Sequence, residues 1–231
     1  MNFQERLKNE NPKEYAYRVL KSNIMSLELR PGQKINESEL VQQLSISRTP
    51  IREILIRLGE EDLVEVKPQQ GTYISLLKME YIEEAFFMSY HLEKEALKLA
   101  CDSFKKEKLI ELERNLMEQK FALEKQDKKM EFNLLDSNFH EIIFSGVNLK
   151  RIWKIILKIS SHYNRFRFLP DLKYCNDYFF DKNEKIFSII KNKDSVAIEP
   201  LLLDYLNGSK NRLMAIFEEN HKYRSYFKED Y

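Results

Sequence analysis

Four residues near position 50 carry side chains that suit contact with nucleic acid. They are Ser47, Arg48, Thr49 and Arg52, within the segment SISRTPIRE. Arginine can donate two parallel hydrogen bonds to guanine, while hydroxyl groups and the N-terminus of a helix bind phosphate oxygens. Two arginines on a small helical domain can also be ordinary surface charges. The prediction of DNA binding therefore depends on the elements that position these residues.

A second set of residues has the spacing of a buried polar site. Asp136 and His140 are four residues apart, so they share one face of a helix. Such a pair can supply half of a divalent metal site or an acid–base pair, and it can equally be a surface pair or a hydrogen-bonded core histidine. Ser89 and Asn183 interrupt the apolar stripes of two other predicted helices, so we expect them to line a pocket. No nucleophile or cofactor loop accompanies the pair at motif-level spacing, which argues against an enzyme.

The residues around the first set are predicted to form a winged helix-turn-helix. Helical spacing of apolar residues predicts three short helices, and alternation then predicts a β-hairpin. Asn36 is placed to cap the second helix with Glu39 as its capping-box partner, and Thr49 to cap the third, with Pro50 at its first position. In this fold the third helix enters the major groove and the hairpin tip reaches the neighbouring backbone or minor groove. The predicted ranges are 15–29 and 37–44 for the first two helices, 63–67 and 72–75 for the strands, and 68–71 for the tip.

The rest of the chain is predicted to form an antiparallel bundle of helices. From Glu80 onward apolar residues recur every three or four positions, without strand-like alternation. The fourth helix of this part should span Leu149–Tyr163. The last should run from about Asp194 toward Lys228, with a kink at Pro200 or a start one turn later.

Composition fits a mainly α protein with two domains, residues 1–77 and 78–231. The 231 residues include 38 basic and 37 acidic side chains, 43% hydrophobic residues and only five glycines. These values exclude a disordered chain and disfavour a Gly-rich dinucleotide fold. Cys101 and Cys175 make no disulfide framework. The sequence has neither the roughly 18 apolar residues of a membrane span nor the apolar core of a secretion signal, so we expect a cytoplasmic protein.

The stretch INESELVQQLSISRTPIREILIRLGEEDLVEVKPQQGTYIS resembles the DNA-binding domain of the GntR family of bacterial transcription regulators. The resemblance covers residues 12 to about 77, and SRTPIRE followed by a glycine-containing wing is its most specific part. It implies that Arg48 and Arg52 contact DNA and that Ser47 and Thr49 face phosphates or bases. It also places the wing tip, Gln70-Gly71, near DNA.

The helical part resembles the FCD ligand-sensing domain of the FadR subfamily, through D-S-N-F-H, G-V-N-L and I-I-K-N-K-D. Many members hold a divalent metal through an Asp and a His four residues apart and two later histidines about 22 residues apart. Asp136 and His140 match the first pair, whereas Asn183 and Tyr205 fall at the positions of the other two. An amide and a phenol are poor ligands for Zn²⁺ or Ni²⁺, so we expect no cofactor, although a metal in this altered site is an open alternative.

The same resemblance implies a pocket that binds an effector. Ser89 falls where relatives carry an effector-binding arginine, and we expect Arg165 or Arg167 to bind an anionic effector in its place. The alternative for both arginines is a surface position. His162 is expected to line the pocket, to substitute as a metal ligand or to face solvent.

The sequence therefore predicts a homodimeric transcription regulator that binds a palindromic DNA operator and responds to a small, anionic metabolite. Contact between the two bundles would set the spacing of the two winged domains. The alternative within the same family is a metal-free regulator that responds to acyl-CoA or fatty acid. An enzyme that uses Asp136 and His140 is the alternative from another class. No membrane partner is expected.

Overall fold

The computed structural model describes residues 1–124, 129–169, 175–219 and 221–228, and these form two compact units. Unit 1 contains Met1–Ile82, Ile159–Leu169 and the described part of Asn220–Tyr231. Unit 2 contains Glu83–Lys158 and the described part of Pro170–Glu219. The expected division after residue 77 differs from this one, because two later segments of the chain return to the first unit.

Unit 1 contains the predicted winged helix-turn-helix. Three helices and a small antiparallel sheet pack around a shared apolar core that includes Leu20, Ile51 and Ile74. The hairpin pairs Val64 with Ile74 and Lys67 with Gly71. A third, two-residue strand at the edge of the sheet was not predicted, because alternation cannot be read from two residues. The elements are α1 (Pro12–Met25), β1 (Lys34–Ile35), α2 (Glu37–Leu44), α3 (Arg48–Gly59), β2 (Val64–Lys67) and β3 (Gly71–Ile74).

The starts of the helices follow from their capping residues. Asn36 accepts hydrogen bonds from the backbone N–H groups of Ser38 and Glu39, as predicted for an N-cap, whereas the carboxylate of Glu39 accepts from Nδ2 of Asn36 and so does not form the predicted capping box. The prediction that Thr49 caps α3 was wrong: the N-cap is Ser47, whose side chain makes no capping hydrogen bond. Pro50 is therefore the third residue of the helix. It is tolerated there because the N–H groups of the first turn have no intrahelical partner.

Two segments distant in sequence complete unit 1. The first is the short helix α8 (Ser161–Phe166), which packs against α1. The predicted helix over 149–163 is in fact two helices, α7 (Lys150–Ile159) and α8, which are separated at Ser160. The second segment is the 3₁₀ helix His221–Tyr226, after which Phe227 forms a parallel bridge with Leu77.

Unit 2 is a helical bundle, which confirms the mainly α fold class. Helix α5 packs against both α6 and α9, around buried residues such as Leu112, Phe139 and Ile186. The last long helix starts about one turn after Asp194, so Pro200 lies in its first turn and causes no break. Within the described ranges, no helix is long and apolar enough to cross a membrane. The remaining elements are α4 (Met79–Ser103), which begins in unit 1, α5 (Lys106–Leu123), α6 (Lys129–Gly146), α9 (Cys175–Asn192), a 3₁₀ turn (Ser195–Ala197) and α10 (Ile198–Glu219).

Replacing Gly71 with alanine should destabilise the wing. Gly71 has a φ of +120°, and a Cβ atom at this position would lie 2.9 Å from Cε of Lys34. We expect Gly71→Ala to lower the free energy of unfolding by about 1–3 kcal/mol, the usual cost of a strained backbone conformation. Urea unfolding followed by circular dichroism would measure the change.

Gly59→Ala is the matched control for this measurement. An added Cβ at Gly59 would meet only Val64 O at 3.5 Å, and the residue ends α3 without a positive φ. This change should be neutral or slightly stabilising. Equal destabilisation by both substitutions would contradict the strain argument.

Candidate DNA-binding and effector sites

The side chains predicted to contact DNA lie together at the N-terminal end of α3. Ser47, Arg48, Thr49 and Arg52 are all exposed there. Ile51, Ile54 and Leu58 on the opposite face of the helix are buried in the core of unit 1. This division of faces leaves the arginines and hydroxyl groups available to a ligand outside the unit. Their contact with DNA remains a prediction.

Helix α2 orients the two arginines. Nε of Arg52 donates to Oε2 of Glu37 at 3.1 Å, and Nη2 of Arg48 lies 3.5 Å from Oγ of Ser38. The Arg52–Glu37 ion pair is largely exposed, so it should contribute less than about 1 kcal/mol to stability. Because the pair is weak, Arg52 can exchange the carboxylate for a base or a phosphate at little cost.

The wing adds two cations that the sequence analysis missed. Gln69 adopts a left-handed conformation with φ of +60° at the tip, and Gln70 beside it is exposed. Behind the tip, Nζ of Lys34 and Nζ of Lys67 lie 5.8 and 5.2 Å from the ring centroid of Tyr73. Lys34 reaches this place through strand β1, which pairs it with Tyr73. Both ammonium groups are suitable partners for phosphates that flank the wing.

The bundle of unit 2 encloses a set of polar side chains that we call the polar cluster. Its centre is His140 on α6, whose Nδ1 lies 3.2 Å from Oε1 of Glu93 and whose Nε2 lies 3.8 Å from Oδ1 of Asp136. The ring of Trp153 on α7 stacks on the imidazole, with 5.5 Å between centroids. The members of the polar cluster are Glu93, Asn115, Gln119, Asp136, His140, Lys182 and Asn183.

Glu93 and Lys182 form an ion pair inside the bundle. Nζ of Lys182 lies 2.9 and 3.1 Å from the two carboxylate oxygens of Glu93. Burial acts to raise the pKa of Glu93, but Lys182 and His140 outweigh it and lower that pKa to about 2. Glu93 is therefore ionised at neutral pH. The sequence analysis missed both residues, although Glu93 follows Ser89 by four positions on the same face of α4. Ser89 is half-buried one turn earlier.

Asn183 connects Asp136 to two further amides. Its Nδ2 donates to Oδ1 of Asp136 at 2.8 Å and to Oε1 of Gln119 at 3.0 Å, and Gln119 in turn donates to Asn115. The side chain of Asn183 is fully buried, yet its Oδ1 atom has no hydrogen-bond partner among the described residues. A buried acceptor without a donor is costly unless a bound molecule supplies one.

The ring of Tyr205, which the family resemblance aligns with the fourth ligand of a metal site, packs on residues outside the polar cluster. Its ring packs on Tyr178 with 4.4 Å between centroids, and Nζ of Lys185 lies 5.5 Å from the ring centroid. Five residues separate Asn183 from Tyr178, and two separate it from Lys185. The side chain of Asn183 therefore lies on a different face of α9 from the side chains of Tyr178 and Lys185. Tyr205 is buried, and burial together with nearby acidic groups raises its pKa to about 12.

The polar cluster does not fit a divalent metal. The amide nitrogen of Asn183 donates to Oδ1 of Asp136, and an N–H donor cannot be a metal ligand. Lys182 already supplies a cation to Glu93. Among the described side chains, no group of three or more His, Cys, Asp and Glu residues is arranged to hold a metal ion.

His162 and Arg165 lie outside the polar cluster, and their expected role as effector ligands is corrected. Both are fully buried in unit 1. The guanidinium of Arg165 donates to the carbonyl oxygen of Ser75 at 2.8 Å and to its Oγ at 3.0 Å. The imidazole of His162 is hydrogen-bonded to the backbone N–H of Lys78 and to the carbonyl oxygen of Asp62. The helical period could not reveal this, because α8 leaves the bundle after Ser160.

Comparison with known proteins identifies both parts of the chain. Residues 12–74 match the family described as bacterial regulatory proteins of the gntR family, and residues 84–208 match the FCD domain. The HTH-type transcriptional repressor RspR of Escherichia coli K12 is 26% identical over 205 residues, which cover 88% of this chain and 90% of RspR. The Nta operon transcriptional regulator of Aminobacter aminovorans is 32% identical over 144 residues, covering 62% of this chain and 66% of that protein.

Solved structures show the same fold. Escherichia coli McbR/YncC matches with a TM-score of 0.68 and 23% identity, covering 90% of this chain and 99% of that one. A GntR transcriptional regulator from Rhodococcus sp. RHA1 matches with a TM-score of 0.72 and 19% identity, covering 88% and 97%. The solved structures show the shared fold, and the matches of residues 12–74 to the gntR family and of residues 84–208 to the FCD domain show that the chain belongs to the GntR family of DNA-binding transcription regulators, with an FCD domain after its winged helix-turn-helix.

Proposed function

We propose that this regulator binds a two-fold-symmetric DNA site as a homodimer, and that a small metabolite bound at the polar cluster changes its affinity for DNA. The observation that carries the proposal is Oδ1 of Asn183, a fully buried acceptor without a partner in the middle of a charged cluster. Several buried polar atoms of the described residues lack a partner, and Oδ1 of Asn183 is the one among them that belongs to the polar cluster. A ligand with a hydrogen-bond donor would satisfy it.

The side chains of the polar cluster favour a small effector that carries an anionic group and a hydrogen-bond donor. With Arg165 in unit 1, the partly buried Lys182 is the lysine of the polar cluster, and it is the group to which an anionic effector would bind. Such a ligand would exchange with Glu93 for the ammonium and donate to Asn183 Oδ1. A small hydroxy acid or amino acid carries both groups. An acyl chain would place apolar surface against these polar side chains, so the polar cluster favours the small anion over the acyl-CoA alternative.

Arg52→Ala should weaken binding to DNA. One bidentate contact to a base contributes about 1–3 kcal/mol of discrimination, so affinity should fall between about fivefold and 150-fold, with relaxed preference at one base pair. Mobility shifts on sites selected by the wild-type protein from random DNA would measure both effects. Arg48→Ala tests the second arginine in the same assay.

Arg57→Ala is the matched control on the same helix. Arg57 lies in the last turn of α3, where its guanidinium packs over Tyr17 at 3.7 Å, away from the N-terminal end. Its loss should leave operator affinity within about twofold. Unchanged affinity and base preference in both the Arg48 and Arg52 variants would remove these arginines from the interface.

Zn²⁺ and Ni²⁺ should not stabilise the native protein. A bound metal raises the melting temperature by mass action, and the native polar cluster lacks a complete ligand set. Asn183→His adds an imidazole beside Asp136 and His140, so this variant should gain several degrees with excess metal and lose the gain with chelator, whereas Tyr205→His, at the ring that packs on Tyr178, should not. Differential scanning fluorimetry measures the wild type and both variants. Stoichiometric, tight metal in the wild type would contradict this assignment.

An effector that binds the polar cluster should show reciprocal linkage with DNA. Thermal-shift screening of small hydroxy acids and amino acids would supply a ligand, and calorimetry would measure its Kd with and without selected operator DNA. The two Kd values should differ by the same factor by which the ligand changes operator affinity. Lys182→Met should abolish ligand binding, whereas Lys185→Met, three residues along the same helix, should not. Identical Kd values in both titrations would refute allosteric control.

A further inference from the structure

Helix α8 is held in unit 1 by a network of hydrogen bonds whose directions are all determined. The backbone N–H of Lys78 donates to Nδ1 of His162 at 3.1 Å, so the imidazole proton is on Nε2 and donates to the carbonyl oxygen of Asp62 at 3.1 Å. The hydroxyl of Ser75 donates to the same carbonyl at 2.5 Å and accepts from Arg165. His162 and Arg165 of α8 are thereby hydrogen-bonded to three other points of the chain, at Asp62, Ser75 and Lys78.

These contacts fall on the base of the wing. Ser75 directly follows β3, and its N–H donates to the carbonyl of Leu63, which directly precedes β2. The N–H of Leu63 donates in turn to Leu58 in the last turn of α3. The hydrogen bonds of α8 therefore fix the base of the hairpin at the point where it joins α3. The hairpin and α3, which we expect to contact DNA, are therefore connected to each other at this point.

The polar cluster contacts α7, the helix that precedes α8 in the chain. Trp153 stacks on His140 at 5.5 Å and on Phe144 at 5.4 Å, and both contacts lie within unit 2. Trp153 belongs to α7, which ends at Ile159, and α8 begins at Ser161. The two helices are covalently continuous through Ser160. A shift of the His140 ring therefore acts on the helix that leads directly into α8.

We propose that α7 and α8 carry the effector signal to the wing, with Trp153 as the residue that senses the polar cluster and with His162 and Arg165 as positioning residues for the hairpin. The proposal rests on the proposed effector function of the polar cluster. Buried hydrogen-bond networks have discrete arrangements, because a partly broken network leaves polar groups unsatisfied. A small displacement of α8 is thus converted into an altered placement of the wing relative to α3.

A double-mutant cycle tests this route without an identified effector. Trp153→Leu removes the stacking on His140, and Arg165→Met removes the donors to Ser75 while retaining a long side chain. On DNA sites selected by the wild-type protein, Trp153→Leu should change affinity about threefold to tenfold. In the Arg165→Met background the same change should have less than a twofold effect. Ile155→Ala, at a half-exposed position of the same helix, is the matched control and should have no effect in either background.

Hydrogen exchange without DNA gives a second, independent measurement. Trp153→Leu should increase exchange of the Leu63 and Ser75 amides, which close the base of the hairpin, and Ile155→Ala should not. Ser75→Ala, which removes only the hydroxyl, replaces Arg165→Met if circular dichroism shows that the latter is unfolded. An unchanged exchange rate, or an equal effect of Trp153→Leu on affinity in both backgrounds, would overturn the route. If the polar cluster binds no effector, the affinity and exchange results described above should still be obtained. Only the linkage between ligand binding and DNA binding would then be absent.

Discussion

The carbonyl oxygen of Asp62 is the acceptor on which the structure of unit 1 depends. It receives hydrogen bonds from Ser75 and His162, and Arg165 binds Ser75 from the other side. Burial lowers the pKa of Arg165 to about 9, so the guanidinium is still charged at neutral pH, and the two oxygens of Ser75 accept from its Nη groups. Burial, with a smaller contribution from Arg165, likewise lowers the pKa of His162 to about 3 and keeps the ring neutral. Loss of any one partner leaves a buried polar group unpaired, at a cost of about 1–3 kcal/mol.

Both units thus place a polar network inside an apolar core, but the two networks differ in charge. The network of unit 1 contains one buried cation and backbone acceptors, which suits a rigid joint. The polar cluster of unit 2 contains an ion pair, a second carboxylate and an unpaired amide oxygen. Exchangeable charges and an open acceptor suit a site that gains or loses a ligand. The same physical cost of burying polar groups is therefore met by two networks of different charge in one chain.

The sequence predicted the features that depend on local interactions. The hairpin, the Asn36 cap and the bundle helices follow from period and capping residues within a few positions of one another. The placement of Arg165 could not be predicted in this way, because its partner Ser75 lies 90 residues earlier and the apolar stripe of α7 continues past Ser160. Glu93 and Lys182 were missed for a related reason, since charged residues on a helix are normally solvated and only the bundle brings these two together. Asp136 and Asn183 were expected to be close, and they are hydrogen-bonded.

The discontinuity of unit 1 has a consequence for synthesis on the ribosome. The winged segment emerges before the bundle, but Ser75 and Asp62 gain their α8 partners only after residue 165 has left the exit tunnel, and Leu77 gains its backbone partners only when residues 226–228 follow. At about 5–20 residues per second, the nascent winged segment waits several seconds in an incomplete state. A chain that stalls or is cleaved within the bundle never completes the hairpin base. Completion of unit 1 therefore requires that the helices of unit 2 have already been synthesised.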